Sequence, residues 1–272
     1  MTPVFPVTLA LYAASCAFYL ALLAAIGPAS GSTDRLDRAA RVTLAAAFLS
    51  HAVDIAILCV QGIHPFVNVR EVLSFLGWLT VGSYLALSLR MALPLLGAVI
   101  VPVTLVLDVA ARLGPERAAA AGRMPLAIVH IGLATAGITA FAVAAGDAVV
   151  YLYAERRLKA HRLQPRSPLN MPSLEALDRL HGRCIQLGFP IYTVAMITGA
   201  VWLTRLAHDG PHRLLEPQYA MATVAWVIFA GLLLARFLIG WRGRRAAQVT
   251  IGGFAAALSV LVIYYVRGLV GA

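Results

Sequence analysis

The sequence predicts an all-α integral membrane protein: a bundle of eight transmembrane helices with both termini on the outer side. Three observations carry that expectation. Of 272 residues, 61% are hydrophobic and only 12% are charged, where a soluble domain carries about 25% charged residues. Eight stretches are apolar over the length of about 17–25 residues that a helix needs to cross a ~30 Å hydrocarbon core. The basic residues gather in alternate connections, and short loops rich in Lys and Arg are retained on the cytoplasmic side.

Taken in order, the spans fall at about 4–27, 42–61, 71–90, 92–111, 125–153, 184–204, 218–239 and 246–268. The first has neither a basic start nor a small-residue cleavage site close after its core, so it reads as a retained helix and not as a signal peptide. The connection after it holds Arg35, Arg38 and Arg41. Arg90 follows span three, and Arg156, Arg157, Lys159, Arg162 and Arg166 follow span five. With Arg179, Arg183, Arg236, Arg242, Arg244 and Arg245, fifteen of the 22 Lys and Arg residues lie on one side. That side is predicted to be cytoplasmic. The net charge of +10 is thereby explained by orientation and by anionic lipid headgroups, with no nucleic acid needed.

With connections this short, the chain reads as one transmembrane domain, residues 1–272, in a bacterial inner membrane. The one long polar connection is 155–180, where Pro165, Pro168 and Pro172 exclude a continuous helix across its middle. Ser173 ahead of LEALDRL fits an N-cap, so a short helix leads into span six. Cys16, Cys59 and Cys184 form no CxxC pair and read as small core residues. GxGxxG, GxxxxGK[ST], HExxH and GxSxG are missing. No hydrolase, nucleotide or metal-catalytic motif therefore points to an enzyme.

Ionisable residues inside the spans carry the chemistry. His51 lies about 15 Å from the start of span two, near the bilayer centre, and Asp54 shares its face. Such groups cost a few kcal/mol unless they face the bundle interior with partners. The pair therefore reads either as packing glue between helices or as a site. His64 follows at the outer end of span two, and His130 lies just inside the outer end of span five. Neutral imidazole is a common axial ligand of haem iron, and arginines near the outer surface, Arg70 and Arg123, suit propionates. A proton relay uses the same residue types. His208 and His212 sit in an outer loop, either as solvated residues or as further ligands. His161 and His181, among arginines, read as surface residues. Asp108 and Asp147 read as acids near helix ends, Arg112 being one available partner. Phe75, Trp78 and Trp202 suit either a porphyrin face or plain core packing.

GIHPFVNVREVLSFLGW, 62–78, resembles a segment of cytochrome c assembly proteins of the CcsA, ResC and CcmC superfamily, with His64 and Asn68 at the matching positions. VHIGLATAGITAFAVAAGDAVVYLYAERRLK from Val129 is similar to that family's histidine-bearing helix, with His130 in the histidine position. MPSLEALDRLHGRCIQLGFPIYTVAMITGAVW, 171–202, and AWVIFAGLLLARFLIGWRGRRAA from Ala225 resemble its next blocks, in the expected order. The short eight-helix HemX-like and YpjD-like group is the nearest match, and His51 stands for its span-two histidine.

The resemblance implies a membrane protein that binds or handles haem for cytochrome c maturation or haem-linked regulation. His130, His64 and His51 would be the iron ligands, and Asp54 would hold a ligand's ring N–H. Partners would be haem and cytochrome c maturation or haem-biosynthesis proteins. The chain departs from the family in the loop TRLAHDGPHRLLEPQYAMAT, which carries no tryptophan where assembly synthetases carry a tryptophan-rich segment. Leu234 or Ala235 replaces a family histidine. Two other readings stay open: a regulatory or scaffold protein that holds no haem, and a proton- or cation-coupled transporter.

Overall fold

A computed structural model describes residues 2–25, 33–114, 125–160, 172–206 and 216–270. All regular structure among them is helical: α1 (Phe5–Ala24), α2 (Thr33–Val60), α3 (Val69–Ser88), α4 (Pro94–Leu113), α5 (Pro125–Lys159), α6 (Leu174–Leu206), α7 (Pro217–Leu238) and α8 (Arg244–Val270). All eight are long and apolar enough to cross a membrane. Large apolar side chains on their outer faces stay exposed, among them Leu49, Val53, Val106, Ile197, Val227 and Val262. Lipid takes the place of water for such a surface, so no folding energy is lost by leaving it uncovered.

Several helices outrun their apolar cores. α5 has 35 residues, or about 52 Å at 1.5 Å per residue, which exceeds the ~30 Å hydrocarbon layer. α6 begins at Leu174, where the Ser173 hydroxyl accepts from the Ala176 N–H at 3.2 Å. The helix then continues without a break through Pro190, so the short helix expected before span six is part of that span's own helix. At the start of α3, the Asn68 side chain accepts from the Glu71 N–H at 2.9 Å, satisfying one of the donors a helix start leaves unpaired.

α5 is the hub, touching α3, α4, α6 and α8. Its contact with α6 is close because small residues sit where the backbones meet. A Cβ added at Gly137 would lie 3.0 Å from the Tyr192 Cβ, and one at Gly188 would lie 2.8 Å from the Ala140 Cβ. Small residues of this kind let membrane helices gain dispersion contacts, which drive association when there is no water to exclude. Two apolar cores result. One joins α1–α4 with the ends of α5 and α6 around Tyr12, Tyr19, Tyr84 and Leu96. The other joins α5–α8, with Leu76 of α3, around Phe141 and Phe229, whose rings stack 3.7 Å apart.

Side-chain contacts identify the two ends of the bundle. Tyr265 near the end of α8 donates to Ala110 O near the end of α4, and Arg112 lies over Phe5 at the start of α1. The first and last helices therefore place their chain ends together. The opposite end carries the turn from α7 into α8, with Arg236 of α7 reaching Asp178 of α6.

Candidate functional site

Two groups of polar side chains sit toward the end that holds the termini. The first surrounds His51, which is buried on α2. The hydroxyl of Tyr12 (α1) meets its Nδ1 at 3.1 Å, and that of Ser74 (α3) meets its Nε2 at 2.9 Å. The Asp108 carboxylate of α4 stands 3.7 Å from Nδ1, and neither of its oxygens has a hydrogen-bond partner among the described residues. Asp54 is not the support for a histidine that the sequence suggests. It takes Arg112 at 2.5 Å and the Thr2 hydroxyl. The physical reason is charge: a buried carboxylate gains far more from a guanidinium than from a neutral imidazole. With both ring nitrogens engaged, His51 has no lone pair to offer a metal unless a hydrogen bond is first given up.

The second group surrounds His130 on α5, which is half-buried. Its Nδ1 lies 2.8 Å from the carbonyl oxygen of Ala195 on α6. A carbonyl can only accept, so Nδ1 carries the proton and Nε2 keeps its lone pair. The ring fits because position 199 is glycine: a Cβ there would sit 2.6 Å from His130 Cε1. Trp202, one turn further along α6, places its ring centroid 5.9 Å from that of His130. Its Nε1–H is buried without a partner among the described residues.

His64 lies exposed in the connection between α2 and α3. That connection rests on α5 through Phe66, whose ring lies 3.6 Å from where a Gly132 Cβ would be. The His64 segment and the His130 helix are thus neighbours, whereas His51 belongs to a separate set of helices. Arg70 is buried beside Glu71, Nε to Oε1 3.5 Å. It is therefore not a solvent-facing cation available to a propionate, because α3 begins at Val69 and its first turn packs inward. Arg123, His208 and His212 lie outside the described residues.

Phe75 and Trp78 form an aromatic row with Phe66 and Phe48, with centroids 5.4, 5.7 and 4.9 Å apart along the row. They take the packing alternative. His181 departs from its expected surface position: it is 1% exposed, and its Nε2 meets Thr250 Oγ1 at 2.6 Å. Its neighbours at four-residue spacing, Leu177 and Ile185, are fully buried, so the apolar stripe of α6 turns His181 inward in spite of the nearby arginines.

The histidine-bearing helix pairs and the run of membrane-spanning helices define a multi-pass membrane protein with imidazole held by backbone carbonyl. The family model for cytochrome c assembly protein matches residues 66–271, and the chain belongs to that family. It is 28% identical over 215 residues to a cytochrome c biogenesis protein CcsA of Guillardia theta, covering 71% of each chain. The CcsA proteins of Trichormus variabilis and Gloeobacter violaceus match over shorter stretches, 39% identical over 88 residues and 41% over 90. Those stretches cover about a third of this chain and about a quarter of the relatives' own length. No solved structure matches.

His130 has the donor chemistry that an axial ligand of haem iron needs. The ring is oriented by its protonated nitrogen, its other nitrogen keeps a lone pair, and an unpartnered indole N–H stands beside it. A backbone carbonyl on the far nitrogen fixes the tautomer and raises the basicity of a ligating histidine.

Proposed function

We propose that this protein is a non-enzymatic haem-handling component of cytochrome c assembly in the bacterial inner membrane. It belongs to the short eight-helix group, with both termini outside and the arginine-rich end in the cytoplasm. Haem supplies an iron that accepts axial imidazole nitrogens. His130 offers Nε2 as one ligand, and His64 or a loop histidine, His208 or His212, offers the other. Trp202 packs beside the His130 ring, with centroids 5.9 Å apart. The Nδ1 contact from His130 to Ala195 O carries this reading, because it leaves the other nitrogen as a lone-pair donor. His51 is assigned a structural role, held by Tyr12 and Ser74. The test is the absorption spectrum of detergent-purified protein titrated with haemin. Wild type should develop a Soret band that His130→Ala lacks, and a wild type that binds no haemin overturns the proposal.

A scaffold that acts on an assembly partner without holding haem is the second reading. The engagement of both His51 ring nitrogens favours it, since one of the family-implied ligands is thereby occupied. It predicts partner capture that survives alanine at His64 and His130.

A further inference from the structure

One cavity among the described residues has no part in the haem reading. It is an open cleft of about 600 Å³ at the arginine-rich end, formed by the first turns of α6, the end of α7 and the turn into α8. Arg179, Arg183, Arg236 and Arg242 line it, against two carboxylates, Glu175 and Asp178.

Both carboxylates are already matched. Asp178 takes Arg236 Nη2 at 2.6 Å, and its other oxygen accepts from the Gly243 N–H at 2.9 Å. One side chain thus locks the end of α7 to the α7–α8 turn, whose Gly240 and Gly243 have φ of 67° and 68°. Arg236 lies flat on α6 because position 182 is glycine: a Cβ there would meet its Nη2 at 2.6 Å. Glu175 takes Arg179 at 2.5 Å. Arg183 and Arg242 are exposed and have no ion pair among the described residues. The cleft is therefore a fixed frame carrying two uncompensated guanidiniums, each able to give paired N–H donors to a phosphate.

The apolar surroundings indicate which phosphate. Leu187, one turn beyond Arg183 on α6, is 68% exposed, and Phe237 and Ile239 beside Arg236 are 69% and 66% exposed. A basic pocket opening onto an uncovered apolar helix surface suits a molecule with an anionic head and acyl chains. A free phosphate would use the arginines and leave that surface without a role.

We infer that this cleft is a specific binding site for an anionic phospholipid, with the headgroup phosphate held between Arg183 and Arg242 and the acyl chains lying along the exposed faces of α6 and α7. The site is independent of haem binding and stands or falls apart from it.

The test uses the full-length protein in detergent and native mass spectrometry, with phosphatidylglycerol, phosphatidylcholine and inorganic phosphate as probes. Phosphatidylglycerol should bind at low stoichiometry in preference to phosphatidylcholine. The double variant Arg183→Gln/Arg242→Gln should weaken it about thirtyfold, from two cations at roughly a kcal/mol each near a membrane surface. Both side chains are exposed, so folding should survive. The charge-matched double variant Arg90→Gln/Arg156→Gln, at exposed arginines of the same end outside the cleft, should bind as wild type does. Equal weakening by the two double variants overturns the inference in favour of diffuse surface charge. Equal binding of the two lipids, or displacement of phosphatidylglycerol by millimolar inorganic phosphate, overturns it as well.

Discussion

His51 and His130 are both imidazoles within apolar helices, and their surroundings differ in one respect that decides their chemistry. His51 is enclosed by α1, α2, α3 and α4, with a hydroxyl on each ring nitrogen. His130 makes one bond, to a backbone carbonyl, and is only half-buried. The first is a cross-link between helices; the second is an oriented imidazole with a nitrogen to spare. A place inside an apolar span, by which both residues stand out in the sequence, does not decide their chemistry. The number of satisfied ring nitrogens does.

The largest way to break this contrast is on the His51 side. Arg112→Ala leaves the Asp54 carboxylate buried without its guanidinium, which should cost about 3–5 kcal/mol. Thermal unfolding in detergent should show the loss, while haemin binding at His130 in the surviving folded fraction stays unchanged.

How much of this was legible in the sequence follows from which forces act locally. The helices were legible because crossing a membrane demands a continuous apolar run, and each run signals itself. His130 was legible as a candidate ligand through its place in a resembling block. The partners of His51 were not, because Tyr12, Ser74 and Asp108 come from three other helices and their meeting depends on helix rotation. Asp54 beside Arg112 was similarly hidden, although an acid and a base near the same end of two spans hinted at it. The arginines beside His181 point to the surface, whereas Leu177 and Ile185, four residues to either side, flank it on one buried stripe.

Smaller perturbations sharpen the comparison. Gly199→Val puts a branched side chain into the His130 ring, where even a Cβ comes within 2.6 Å. Overpacking of this kind costs about 1–3 kcal/mol, and the haemin titration should weaken because the ring is displaced. His51→Phe keeps a flat aromatic ring but leaves the Tyr12 and Ser74 hydroxyls without their partner. The penalty should be about 1–3 kcal/mol, seen as a lower unfolding temperature with the Soret band retained. Ser173→Ala, far from both histidines, removes only the cap on α6. It should cost about 1 kcal/mol with no spectral change, setting the baseline for a local helix-end effect.

The most direct measurement compares the Soret absorbance of haemin-saturated His130→Ala and His51→Ala proteins, purified in parallel and matched for folded fraction by circular dichroism. The account predicts that the band is lost in the His130 variant and kept in the His51 variant. Retention of the band without His130, or its loss without His51, would contradict it.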